Sequence, residues 1–361
     1  MKSLATAFLA GIMLLPGLGA QSQPDPDTRR FNEIRSKRER GEPVTPEERA
    51  FAEGVMRRNQ QSAAERFREY AKTHPPREST GMVPLSELGK GSYQGEEGGL
   101  YPGGANVPPP AHLNAGLAAA RAVKPVDGKI VLLSIGMSNT TQEFQAFQKM
   151  AAEDRDLNPR LVIVDGAQGG QTAAITAQPE ANFWKEVDRR LAAAGVTSAQ
   201  VQAVWLKQAN AQPSQPFPAE AKKLQAGVLS TLHNLHDRFP NLKLCYLSSR
   251  IYAGYAASPL NPEPHAYETA FAVKWLIADQ ISGNPALNYD PARGAVRAPW
   301  LAWGPYLWAD GLKARGDGLA WTRTDLGVDG THPDIPGRQK VARQLLQFLK
   351  NDPASKPWFL K

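Results

Sequence analysis

Two short motifs, far apart in the chain, hold the residue types that acyl-transfer chemistry needs. Gly136-Met137-Ser138-Asn139 follows the apolar run Ile130–Ile135, so Ser138 falls at the end of a predicted buried strand. Asp329-Gly330-Thr331-His332 lies near the C-terminus and places a carboxylate three residues before an imidazole. A serine hydroxyl barely ionises at neutral pH and needs a base to become nucleophilic. A histidine can take its proton if a carboxylate bonds the other ring nitrogen and orients the ring. The chain order Ser138, Asp329, His332 supplies all three roles. Each motif also has an ordinary reading: Ser138 and Asn139 suit the start of a helix, and Asp329 with His332 suits a polar loop.

Further groups fall where such a site would use them. Asp165-Gly166-Ala167-Gln168-Gly169-Gly170-Gln171 follows a second predicted strand. Its glycines let backbone N–H groups approach a ligand, as an oxyanion hole requires, or make a plain strand-to-helix turn. Walker and dinucleotide spacings are absent. Gln208 and Asn210 follow a third strand, and either amide can donate to an oxyanion. Arg250 and Tyr252 follow a fourth. His265 lies in the proline-rich segment Pro262–Glu268, which opens a helix. Trp300, Trp303, Tyr306 and Trp308 form an aromatic cluster that suits a sugar-binding wall or a core equally well. Arg250, Tyr252, His265 and Trp303 are therefore the candidate substrate contacts. His233 and His236, three apart on a helix, share a face that a metal site would need, but no third ligand is evident and a solvated or packed helix face is the expected reading, so no metal site is assigned.

The elements that must carry these groups follow from the apolar pattern. Ile130–Ile135, Leu161–Val164, Val201–Leu206 and Leu242–Leu247 read as short buried strands. Predicted helices span 113–123, 142–153, 183–194, 219–238, 266–281 and 336–349. Strands alternating with helices predict a parallel sheet covered on both faces, with reactive groups at the carboxyl ends of its strands. Upstream, residues 1–20 read as a secretory signal peptide, from Lys2, the apolar Leu4–Leu15 run and the small residues Gly17, Gly19 and Ala20. Residues 21–80 read as a polar extension, flexible to residue 43 and then forming one helix. Thr45, Pro46 and Glu48 make the helix start, with Thr45 and Glu48 as a capping box. Residues 81–128 read as a Gly/Pro-rich lead-in and 129–361 as the main domain.

Composition narrows the classes. The chain has 361 residues, a net charge of +7 and one cysteine, Cys245, which rules out an intramolecular disulfide. Basic residues alternate with acids, as in Arg35-Ser36-Lys37-Arg38-Glu39-Arg40, which argues against a nucleic-acid surface. No run beyond the leader is long and apolar enough for stable membrane insertion. The expected protein is exported, periplasmic or extracellular.

The order of blocks resembles that of the SGNH (GDSL-type) hydrolases over about residues 129–350. That family places a serine after the first strand, a glycine after the second, an amide after the third and a D-x-x-H near the C-terminus. Ser138, Gly170, and Asp329 with His332 match. Met137 stands where the family usually has Asp. The amide block reads Lys207-Gln208-Ala209-Asn210 in place of Gly-x-Asn-Asp and is similar to a Gln variant of carbohydrate acetylesterase branches. The resemblance implies a three-layer α/β/α, flavodoxin-like fold. It implies ester hydrolysis through an acyl-enzyme on Ser138, with the oxyanion held by Ser138, Gly170 and either Gln208 or Asn210. No cofactor is implied, and the expected partner is an ester substrate, small acyl groups on carbohydrate. Two other classes fit the same sequence: a non-catalytic carbohydrate-binding protein on this fold, and a metal-dependent hydrolase built on His233 and His236.

Overall fold

The structure is a computed structural model that describes residues 26–39 and 42–361. The leader reading, residues 1–20, lies outside the described residues. By contact density the chain divides at residue 65 into a small N-terminal unit and a large unit, Arg66–Lys361.

The small unit corrects the expectation of one helix after a flexible start. Helix α1 (Pro26–Glu39) forms within the stretch expected to be flexible, ahead of α2 (Pro46–Thr73). Thr45 and Glu48 cap α2 as its sequence predicts: the Thr45 N–H donates to Glu48 Oε2 at 2.9 Å and the Glu48 N–H to Thr45 Oγ1 at 3.2 Å. Asp27 pairs with Arg58 at 2.7 Å, Glu48 with Lys37 at 2.8 Å, and Arg30 lies over the Phe51 ring. Ile34 and Val55 are buried. Helix α1 is thus held mostly by polar contacts, which a search for apolar periodicity does not detect.

The large unit is built on five parallel strands: β1 (Ile130–Gly136), β2 (Leu161–Asp165), β3 (Val201–Lys207), β4 (Leu244–Ser248) and β5 (Trp300–Trp303), in the order β2-β1-β3-β4-β5. β1, β3 and β4 are buried along their whole length. That burial explains why they read as unbroken apolar runs. β5 has four residues, two of them Trp, and its sequence reads only as an aromatic cluster.

The long helices are α3 (Pro110–Ala122), α4 (Ser138–Glu153), α5 (Asn182–Ala193), α6 (Ala219–Arg238), α7 (His265–Ile281) and α8 (Ile335–Asn351). From β1 the chain steps to β2 on one side, then crosses back to β3 on the other. With right-handed crossovers this reversal puts α4 on the face opposite α5, α6 and α7. Helix α4 packs on α8, and α6 on α7, giving the α/β/α layers that the sequence predicts. The reversal also opens a crevice between the carboxyl ends of β1 and β3, where open α/β sheets place their sites.

The lead-in is irregular but fastened. The Asp310 carboxylate accepts from the N–H groups of Thr80 and Gly81 and from the hydroxyls of Ser79 and Thr80. Among the described residues, no helix is long and apolar enough to cross a membrane.

Candidate active site

Strand β1 passes straight into α4 through Met137, which is extended, so Ser138 is the first residue of the helix. Gly136 allows this close passage: a Cβ there would sit 2.2 Å from the Lys207 carbonyl oxygen and 2.4 Å from Thr140 Oγ1. The first N–H groups of α4, including that of Ser138, have no acceptor within the helix.

His332 and Asp329 come from the loop before α8. Gly330 has φ +63°, and a Cβ there would lie 1.7 Å from the Tyr255 carbonyl oxygen. Only glycine fits, which is why it stands inside the Asp-His motif. Asp329 Oδ1 accepts from the N–H groups of Thr331 and His332, each at 3.0 Å. Its Oδ2 bonds His332 Nδ1. His332 Nε2 lies 2.7 Å from Ser138 Oγ. With Nδ1 donating to Asp329, Nε2 is left to accept the serine proton. Burial opposes the Asp329 charge, but the hydrogen bond and charge of His332, with the two backbone N–H groups, outweigh it and hold the carboxyl at about 2. His332 keeps 27% of its side chain exposed, so the ring is reachable from solvent.

The glycine loop borders the serine. A Cβ on Gly169 would lie 4.0 Å from Ser138 Cβ. Gly170 has φ +77°. The loop is pinned at its start by the Gln168 N–H, which donates to the Gly136 carbonyl at 3.1 Å. Below it Asp165 accepts from Ser134 Oγ at 2.6 Å and from Thr141 Oγ1, while Arg190 donates to the carbonyls of Asp165 and Ala167, both at 2.9 Å. The Gly169 and Gly170 N–H groups donate to no acceptor among the described residues.

Both amides have other tasks. Gln208 Nε2 donates to the Gln171 carbonyl and to Thr176 Oγ1, each at 3.1 Å, which commits both of its protons to fastening the glycine loop. Asn210 Nδ2 donates to Glu220 Oε1 at 2.7 Å and to the Glu220 carbonyl at 3.2 Å. Neither is free to donate to an oxyanion in this arrangement.

The four expected substrate contacts take different places in the structure. Tyr252 is fully buried and donates its hydroxyl to the Arg77 carbonyl at 2.7 Å. Trp303 is core: its indole N–H donates to the Leu100 carbonyl at 2.6 Å. It lines a cavity of about 760 Å³ whose walls include none of Ser138, Gly170, Asp329 and His332. His265 has Nδ1 3.2 Å from Glu268 Oε2 and lines a small cavity with Asn210 and Asn261. Arg250 does reach the site, but from beneath. It is 1% exposed, and its Nη2 donates to the Thr331 carbonyl at 3.4 Å.

The sequence also left some participants unseen. Asn139 Nδ2 donates to the same Thr331 carbonyl at 3.0 Å. Below them Lys207 and Glu143 form a pair with both side chains fully buried. Burial lowers the Lys207 ammonium to about 8 and raises the Glu143 carboxyl, and each opposes the other's shift. The Lys207 side of this pair stood in the quoted amide block, but only the fold brings it to Glu143. His233 Nε2 bonds the Ala286 carbonyl at 2.8 Å, and among the described residues no three His, Cys, Asp or Glu side chains are grouped to hold a metal.

No family model and no curated protein matches this chain. Solved structures that align with it include the protein YxiM from Bacillus subtilis, at 12% identity and a TM-score of 0.32, over 62% of this chain and 56% of that one. They also include the periplasmic domain of a lipopolysaccharide acetyltransferase from Salmonella ser. Paratyphi A, at 14% identity and a TM-score of 0.32, over 66% of this chain and 92% of that one. At that level of similarity, function has to be read from this chain's own geometry.

Proposed function

We propose that this chain is a serine esterase of the SGNH type, with Ser138 as nucleophile, His332 as base and Asp329 as the orienting carboxylate. The observation that carries the reading is the 2.7 Å contact between Ser138 Oγ and His332 Nε2, with Asp329 on the opposite ring nitrogen. The base sits within direct proton-transfer reach of the nucleophile.

The ester carbonyl carbon is attacked by Ser138 Oγ as the hydroxyl proton passes to His332 Nε2. The carbonyl oxygen becomes an oxyanion, met by the Ser138 N–H at the start of α4 and by the Gly170 N–H, with the Gly169 N–H beside it. The tetrahedral adduct collapses, the alcohol leaves with the proton from Nε2, and the acyl group stays on Ser138. Water then attacks that acyl carbon, gives a proton to Nε2, and the acid leaves as Ser138 recovers its proton. Asp329 stays ionised and stabilises the imidazolium throughout. No step calls for a cofactor.

For the substrate we retain small acyl groups on carbohydrate, and for the location export through residues 1–20. The exposed histidine edge suits an acyl group displayed on a large molecule. The test is covalent labelling by a fluorophosphonate. Wild-type protein should be labelled at Ser138 and should release acetate from acetylated sugars; Ser138→Ala should do neither. Wild-type protein that is folded and stays unlabelled would refute the reading and leave the non-catalytic alternative.

A further inference from the structure

We propose that Arg250 and Asn139 are positioning residues that clamp the Thr331 carbonyl and so fix where His332 meets Ser138; this rests on the triad reading above. The connections are short. Thr331 immediately precedes the base, and Asn139 immediately follows the nucleophile. Asn139 Nδ2 reaches the Thr331 carbonyl at 3.0 Å. Arg250 Nη2 reaches the same oxygen at 3.4 Å, and its Nη1 rests 3.8 Å from Met137 Sδ. Met137 immediately precedes the nucleophile. The guanidinium therefore spans the residue before Ser138 and the residue before His332. The amide spans the residue after Ser138 and the same point on the loop.

Stability alone does not account for these two side chains. Asn139 is fully buried and Arg250 is 1% exposed. Arg250 Nε and Asn139 Oδ1 are buried without a partner among the described residues. Burying polar groups unsatisfied is costly, and a buried guanidinium more so. Arg250 hydrogen-bonds no carboxylate; Glu143, Glu263 and Asp329 balance its charge only through space. An apolar residue would fill this position at lower cost. What Arg250 adds is a rigid planar fork that touches both halves of the site at once.

The experiment compares wild type, Arg250→Met, Arg250→Lys, Asn139→Asp and the double variant Arg250→Met/Asn139→Asp. Turnover of p-nitrophenyl acetate and the rate of fluorophosphonate labelling are measured, with circular dichroism to establish folding. Loss of alignment between nucleophile and base should lower kcat by about 10²-fold in Arg250→Met, because small misplacements are that costly. KM should stay within about threefold, because the clamp does not touch substrate. Labelling should slow in parallel. Arg250→Lys keeps the charge but not the fork and should also be slow. The double variant should lose little more than Arg250→Met alone, since both side chains act on one carbonyl.

A folded Arg250→Met with kcat within about threefold of wild type would overturn the proposal. So would a double variant whose losses multiply. If Arg250→Met does not fold, Asn139→Asp decides: it keeps the size and suits a helix N-terminus, but sets an acceptor against the Thr331 carbonyl. Normal turnover there overturns the clamp. If wild type itself resists labelling, the triad reading fails first; if wild type is labelled and the variants match it, only the clamp fails.

Discussion

In the proposed triad, Asp329 would tie activity to acid stability through one side chain. Its carboxyl is held at about 2 in the folded protein, below the ordinary value of about 3.9. A depressed carboxylate stabilises the fold fully above its unfolded value, and that contribution is lost as pH falls from there through about 2. Wild-type melting temperature should therefore drop between pH 5 and pH 2 more steeply than that of Asp329→Asn, which has no such carboxylate to protonate. The same variant should lose about 10⁴-fold in kcat at pH 7, because Asn no longer holds Nδ1 as the donor. A parallel pair of stability curves, or a kcat within about tenfold of wild type, would contradict this assignment. The two amides are separable in the same way. Gln208→Ala strips the donor from the Gln171 carbonyl, at about 1–3 kcal/mol of stability for the group left unpaired, while Thr176 Oγ1 keeps Thr231 Oγ1 at 2.9 Å. It should lower the melting temperature and cost less than about tenfold in kcat, where loss of a direct oxyanion donor would cost about 10²–10³. Asn210→Ala should lower stability with kcat unchanged. A full oxyanion-type loss in Gln208→Ala at an unchanged melting temperature would return that amide to the oxyanion hole.

At the scale of elements, the parts that were legible are those set by local pattern. Four strands show as apolar runs because parallel strands covered on both faces have no polar side to display. Helix α6 is read to its ends, and Ser138, Asp329 and His332 stand out because strand ends and a glycine-bearing loop are local signals. What depends on the chain folding back is not legible. The role of Thr331 is carried by its main-chain oxygen, and Asn139 and Arg250 converge on it from 192 and 81 residues upstream. Helix α4 starts at Ser138, four residues ahead of the predicted start, with Asn139 and Thr140 buried and donating to the Thr331 and Lys207 carbonyls. Lys207 and Glu143 belong to this class: they join the end of β3 to α4. Removing one partner leaves a buried charge, so Lys207→Met should cost about 3–5 kcal/mol in chemical denaturation. Lys207→Met/Glu143→Leu should recover most of it, since no lone charge remains. If the double variant is as unstable as the single one, the pair is holding more than each other's charge.

For the whole molecule, the question is how much of the chain the site needs. The proposed triad and clamp, the glycine loop and all five strands lie within Arg66–Lys361. The ion pairs of α1 run to residues of α2 that precede that boundary, namely Glu48 and Arg58, as does the Arg30–Phe51 contact. A cut within the small unit, such as removal of residues 21–43, takes away α1 and uncovers Phe51 and Val55 of α2, leaving an apolar edge without the helix that covers it. A cut at the boundary removes both sides of that contact together. A chain of residues 66–361 keeps the last two turns of α2, the Asp310 clasp on Ser79–Gly81 and the whole sheet. It should therefore unfold in one cooperative transition, and its kcat and KM on p-nitrophenyl acetate should stay within about twofold of the full chain, as expected when a truncation falls at the boundary between two compact units. The 21–43 deletion should match it in turnover but aggregate more readily on heating, measured by light scattering through the melt. A 66–361 chain that is insoluble, or folded with turnover reduced by about tenfold or more, would show that the N-terminal helices are part of the working enzyme.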